Sequence, residues 1–255
     1  MRVEDEPAYV LETRPYRETS LLVEAFTVEH GRVALVARGV RGAGRRQNAR
    51  RAALSPFGPV RIGFSGRGEV LTLADIEAEA APLRPTGPAL FAALYVNELV
   101  QKLTGRGDPA PRLFRRYASW LDELGRMGAA SPTQPVDDDP APEANLTLSW
   151  ALRRFERDLL GLLGYALALD HDSDDGEPIE PDADYVLDPE HGARPWHAGS
   201  PWPRVRGNVL LAWAGDTPPA PDCARQLKTL ARAVIRHHLG GAELRAWKLA
   251  AQWRR

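Results

Sequence analysis

The hydrophobic pattern of this chain changes period once, and the change falls at a cluster of prolines. Before Pro82, Pro85 and Pro88 the apolar residues come in short runs; beyond them they recur at helical spacing. Ala8 to Arg14, Ser20 to Thr27, Gly31 to Gly39, Phe57 to Phe64 and Glu69 to Glu77 are rich in Val, Leu, Ile or Phe. Gly, Pro or polar turns bound each run, which is the signature of strands. Leu22, Glu24, Phe26 and Val33, Leu35 alternate in part, as expected of strands with one buried face. Glu29-His30-Gly31 predicts a tight hairpin, because glycine supplies positive φ at no steric cost. Five short strands in about eighty residues fit a small Greek-key barrel of the OB type, a fold that binds oligonucleotides.

Past the prolines the pattern is helical. Ala89 to Leu103 is apolar almost all round, which predicts a buried helix. Gly105 to Pro109 ends it, and a second helix runs through Leu113, Tyr117, Trp120, Leu121 and Leu124. Residues 131–142 hold four prolines and three consecutive aspartates and read as an exposed connector. In Leu146 to Gly164 the residues Leu148, Leu152, Phe155, Leu159 and Leu162 form one apolar stripe. Residues 170–203 are acidic and rich in Pro and Gly, with room for one hairpin through Tyr185, Val186 and Leu187. A last long helix, Asp222 to Leu239, closes on Gly240-Gly241. The expected fold is α+β and multidomain. A five-stranded OB barrel over residues 1–81 precedes an all-α domain over 82–255 that carries an acidic loop or hairpin insertion.

Net charge is −1, but the charges are segregated. His30 to Gly68 holds nine arginines and no acid; Asp158 to Glu190 holds eleven acids and no Lys or Arg. From His191 onward there are eleven bases against three acids. Two basic regions around an acidic one point to a polyanionic partner rather than a small substrate. The single cysteine, Cys223, rules out an internal disulfide and any multi-cysteine metal site. The acidic start Met1 to Glu6 lacks the apolar stretch of a signal peptide, and no run approaches the roughly 18 apolar residues that span a bilayer. A soluble, cytoplasmic protein is expected.

Enzyme-like motifs fail on inspection. Gly42-Ala43-Gly44 lacks the third glycine of a dinucleotide fingerprint, and no Walker lysine is present. Gly63-Phe64-Ser65-Gly66-Arg67 ends on Arg where a nucleophile elbow has Gly. Asp170, Asp172 and Asp174 alternate like a calcium loop, but its sixth position is Asp175 and its twelfth Pro181. His191, His197 and the adjacent His237-His238 have no metal-ligand spacing. No catalytic residue, metal or cofactor is therefore expected.

Three features survive. Arg38 to Arg51 holds six arginines and three glycines and reads as a flexible cationic loop whose guanidinium groups can grip phosphates. Phe57 and Phe64 could stack on bases, but as strand residues they are expected in the core. In the second, Trp150 and Arg154 are helix neighbours, as are Arg153 and Arg157. An apolar stripe edged by arginines can dock an acidic, hydrophobic peptide; the same pattern also describes a core helix with a solvated basic edge. The third is a basic stripe on the last long helix, Arg225, Lys228, Arg232 and Arg236, followed by Trp247, Lys248, Trp253, Arg254 and Arg255; it could extend a nucleic-acid path, but a solvated face plus buried tryptophans is the default reading.

Several segments, in order, resemble the bacterial recombination-mediator family RecO. They are Arg14-Pro15-Tyr16-Arg17-Glu18-Thr19-Ser20-Leu21, Gly31-Arg32-Val33 through Arg38-Gly39, and Gly66-Arg67-Gly68-Glu69-Val70. Leu94-Tyr95-Val96-Asn97-Glu98-Leu99, Leu152-Arg153-Arg154-Phe155-Glu156 through Leu163-Gly164-Tyr165, and Leu239-Gly240-Gly241 follow. The resemblance implies a non-enzymatic protein that binds single- and double-stranded DNA and anneals complementary strands. It further implies partnership with the RecR protein and the single-strand-binding protein, so that RecA can be loaded. Candidate DNA contacts are Arg14, Arg17, Arg32, Arg38, Arg41, Arg45, Arg46, Arg50 and Arg51. Candidate contacts for the acidic C-terminal tail of the single-strand-binding protein are Trp150, Leu152, Arg153, Arg154, Phe155 and Arg157. Two departures stand out. The four-cysteine zinc site of some members is missing from residues 170–202, so no zinc is expected, and Leu244-Arg245-Ala246-Trp247 stands where many members have Leu-Lys-Ser-Arg. The alternative from another class is an adaptor whose barrel arginines dock acidic protein segments rather than DNA.

Overall fold

The structure, a computed structural model, describes residues 1–41, 44–130 and 142–253. The five expected strands form: β1 (Arg2–Tyr16), β2 (Ser20–Thr27), β3 (Gly31–Ala37), β4 (Pro59–Ser65) and β5 (Val70–Ala78). The sheet closes in the order β1-β2-β3-β5-β4, with β4 returning to β1. Every pairing is antiparallel except β3 with β5. Among the described residues the other elements are α1 (Arg45–Ala53), α2 (Gly87–Leu103), α3 (Pro111–Ala130), α4 (Pro142–Leu162), β6 (Asp184–Asp188), β7 (Gly192–Pro195), β8 (Arg204–Arg206), α5 (Gly207–Ala214), α6 (Pro221–His238) and α7 (Arg245–Trp253).

β1 starts six residues earlier than its apolar run suggests, because it serves two partners. Its first half pairs with β4, from Arg2↔Ser65 to Tyr9↔Pro59, and its second half with β2, from Ala8↔Thr27 to Tyr16↔Ser20. Register shifts at Val3/Glu6 and Val10/Glu12 bend the strand between them, as bulges do. Val10, Val23, Leu35, Ile62, Phe64 and Leu73 fill the interior. The acids of β1 that broke the apolar pattern have local work. Asp5, in the left-handed region at φ 58, is gripped by Arg61, whose guanidinium holds the carboxyl below the usual carboxylate range. Buried Glu6 accepts the Glu29 amide at 2.7 Å and so ties down the β2–β3 turn. That turn is the expected hairpin: Gly31 has φ 59, and a Cβ there would overlap the Asp108 carbonyl.

Two compact units result, Met1–Leu121 with Arg245–Arg255, and Asp122–Leu244. The division expected at residues 81/82 falls inside the first unit. The reason is how α2 and α3 meet the barrel. The Val10/Glu12 shift takes Leu11 out of the ladder, and Asn97 on α2 donates to its carbonyl at 2.8 Å. Tyr117 on α3 donates to Asn97 Oδ1 at 2.6 Å, and its ring meets Tyr9 edge-on at 5.0 Å. Burial pushes the Tyr117 phenol pKa up. α7 completes this unit. The Glu98 carboxylate of α2 accepts the amides of Arg245 and Ala246, both at 2.9 Å, and Trp247 packs on Tyr95.

The second unit holds α4, α5, α6 and a three-stranded sheet in the order β7-β6-β8. The region after the barrel is thus helical but not all-α: the acidic segment supplies a sheet where one hairpin was expected. Several of its carboxylates have partners within the segment or beside it. Asp172 accepts the Asp174 amide at 2.8 Å, Asp174 pairs with Arg194 at 2.7 Å, and Asp184 pairs with Arg204. The expected connector at 131–142 lies outside the described residues except for Pro142, where α4 begins.

Candidate nucleic-acid interface

Residues 45–53, expected as part of a flexible loop, form α1. Arg, Gln and Ala are good helix formers, and Arg50 and Arg51 complement the helix dipole in its last turn. Both flanks are anchored: Val40 before it, and Ala53 and Leu54 after its last turn begins, are buried in the barrel core. The arginines are therefore presented by fixed backbone. Arg50 donates to the Ala74 carbonyl of β5 at 3.3 Å, which holds α1 beside that strand.

The β1–β2 turn joins the same surface. Leu21↔Ala37 pairing puts the turn beside the chain leaving β3. Arg41 then reaches across it, its amide donating to Thr19 at 3.1 Å and its side chain to the Arg17 carbonyl at 3.4 Å. Arg17, Arg38 and Arg41 are gathered in this way, and Arg45 and Arg51 stand exposed on α1. Among the described residues none of these five forms an ion pair with a carboxylate.

The remaining candidates differ. Arg32 is not a surface cation: it donates to Glu24 at 3.1 Å and to the Thr104 carbonyl at 3.0 Å, with 14% of its side chain exposed. Arg106 shares the same Glu24. Arg14 is exposed but paired with Glu12 at 2.7 Å. Arg50 is half-buried, and the side chain of Arg46 lies outside the described residues. Phe57 and Phe64 are both buried as expected, Phe64 on β4 and Phe57 in the turn before that strand, at φ 70. Sequence reasoning passed over Tyr16. Residues 1–81 contain five aromatics; Tyr9, Phe26, Phe57 and Phe64 are buried, whereas Tyr16 is 37% exposed, with the Arg17 guanidinium 5.2 Å from its ring centroid. The signal available was its place at a turn between Pro15 and Arg17, where the strand pattern stops.

The second candidate surface, on α4, is largely internal. Trp150, Arg153 and Phe155 are buried. The buried side is not the expected leucine stripe, since Leu162 is exposed and Leu148 and Leu152 are half-buried. It admits polar residues because they neutralise one another. Arg153 donates to the buried Glu156 at 2.6 Å, and the Trp213 indole donates to the Arg153 carbonyl at 2.9 Å. Arg157 caps the C-terminal end of α5, donating to the carbonyls of Trp213, Ala214 and Gly215 at 2.8–3.0 Å. Leu152 and Arg154 reach solvent in part, and Arg154 lies 3.4 Å from Glu123.

Comparison with known proteins now decides the family. Residues 1–81 match the family described as Recombination protein O N terminal, and residues 84–135 the one described as Recombination protein O C terminal. A DNA repair protein RecO of Xanthomonas oryzae pv. oryzae (strain PXO99A) is 41% identical over 253 residues, covering 98% of this chain and 97% of that protein. The chain belongs to the RecO family. DNA repair proteins RecO of Ralstonia nicotianae (40% identity, 95% of this chain and 82% of that protein) and Stenotrophomonas maltophilia strain K279a (40%, 99% and 98%) agree. It is thereby a member of a family of DNA repair proteins. No helix among the described residues is long and apolar enough to cross a membrane.

Proposed function

We propose that this protein acts without catalysis, as a DNA-binding recombination mediator of OB-barrel type. It anneals complementary single strands and helps load RecA onto DNA coated with single-strand-binding protein, in the cytoplasm at the nucleoid. The observation that carries the proposal is the set of five exposed arginines, Arg17, Arg38, Arg41, Arg45 and Arg51, on the β1–β2 turn, the exit of β3 and α1. Guanidinium groups free of carboxylate partners pair with phosphates bidentately and without reading sequence. Two strands held on such a surface have their mutual repulsion neutralised while bases pair. Arg14, Arg46 and Arg50 flank this surface, and Arg32 supports it from inside. RecR is a further partner in this reading.

Recognition of the coated strand falls to the second unit. The acidic, hydrophobic-ended tail of the single-strand-binding protein would meet Arg154 and Leu152, with Arg153, Phe155, Trp150 and Arg157 forming the frame behind them. Arg154 would exchange Glu123 for the incoming carboxylates. The test is annealing of labelled complementary oligonucleotides, bare and coated. Replacing the five arginines by alanine should abolish annealing of bare strands. Deleting the acidic tail, or Arg154→Ala, should abolish it for coated strands alone. Undiminished bare-strand annealing by the five-arginine variant would refute the first assignment; tail-independent annealing of coated strands would refute the second.

A further inference from the structure

We propose that Tyr16 is a base-stacking residue that makes the arginine surface prefer single-stranded DNA to duplex; this rests on the DNA-binding reading of that surface. Aromatics of a small barrel belong in the core, and the other four of residues 1–81 are there, three on strands and Phe57 in the turn before β4. Tyr16 alone among them stands out, at the last position of β1, opposite Ser20. Its backbone is fixed on both sides. Ser20 is buried, and Arg41 bonds to the carbonyls of Thr19 and Arg17. Arg17 itself is held in the left-handed region at φ 55, which a non-glycine residue adopts at a cost. That conformation brings its guanidinium over the Tyr16 ring.

The ring thus already makes a face contact with one planar group, and a nucleobase offers the same geometry over a larger area. Arg17, Arg38 and Arg41 around it supply the phosphate contacts that would lead a strand across the ring. Stacking on one aromatic is worth about 5- to 150-fold in affinity, and it is indifferent to base identity. A duplex gains nothing from it, because its bases are stacked on each other and opening a step costs more than the contact returns. Single strands would then be held by phosphate contacts plus stacking, and their annealed product by phosphate contacts alone. The surface would release what it makes.

The whole 255-residue chain is titrated with an oligothymidylate of about 16 nucleotides, the upper site size of one OB barrel, and with a duplex of equal length. Tyr16→Ala should weaken single-strand binding at least about fivefold and leave duplex binding and both salt slopes unchanged. Tyr16→Phe should bind like the parent chain. Equal losses on single strand and duplex, or no loss on either, would overturn the stacking assignment while leaving the arginine reading intact. If the parent chain binds neither DNA, both readings fall. An unchanged urea midpoint for Tyr16→Ala excludes misfolding as the cause of a loss.

Discussion

The five exposed arginines make a quantitative forecast about salt. If each neutralises one phosphate, the slope of log affinity against log salt is about −3.5 on single strands and about −4.5 on duplex. Single-strand affinity should therefore fall about a hundredfold between roughly 50 and 200 mM salt. The double substitution Arg38→Ala with Arg41→Ala removes two contacts, so its single-strand slope should be about −2.1 and the same salt step should cost about twentyfold. Arg32→Ala is the internal control, for it removes an arginine from the same acid-free stretch. Because that side chain binds Glu24 and the Thr104 carbonyl, its loss should leave the slope alone and cost about 1–3 kcal/mol of stability. Fluorescence anisotropy of labelled DNA over a salt series reads the slopes, and urea unfolding reads the stability. An unchanged slope in the double variant, or an equal drop in Arg32→Ala, would refute the division of the arginines into surface and internal groups.

Other outcomes follow from the packing. Asn97→Ala leaves the Leu11 carbonyl and the Tyr117 hydroxyl buried without their partner, and urea unfolding should show a loss of about 2–6 kcal/mol. Gly31→Ala must place a Cβ against the Asp108 carbonyl at positive φ, and should cost at least about 2 kcal/mol by the same measurement. In the second unit, burial and the neighbouring His237 hold His238 below the usual histidine range, with Glu190 opposing them. The unfolded chain therefore takes up the proton first: stability is full above about pH 6.5 and is lost as pH falls through the depressed folded value. The fall in urea midpoint between roughly pH 7 and 5 should be smaller in His238→Phe, which keeps an aromatic ring beside Tyr165.

The strands were legible because their apolar runs are local. β2 falls where the pattern places it, and Val60, Ile62 and Phe64 alternate on β4 as a half-buried strand should. What escaped depends on partners distant in sequence. Arg2 to Pro7 look like a polar end until β4 is brought beside them. Arg32 reads as one more exposed cation until Glu24 and Thr104 surround it. On α4 a hydrophobicity pattern places Arg153 and Glu156 at the surface, yet they go inside together as an ion pair. α1 was hidden by its glycine-rich approach, although Ala53-Leu54 marked the apolar end by which it docks. The residues that set the candidate interface, Val40 and Leu54, are apolar and would enter no list of DNA contacts.

The capping of α7 by Glu98 has a consequence for how the protein is made. Residues 1–121 leave the ribosome first, but the helix that seats on their Tyr95 and Glu98 follows only after residues 122–244. At typical elongation rates that delay is roughly 6 to 25 seconds. During it a carboxylate waits without its two amides and an aromatic face without its tryptophan. The barrel and its arginines are complete from the start of that interval, so a nascent chain still tethered to the ribosome already carries its whole exposed arginine surface.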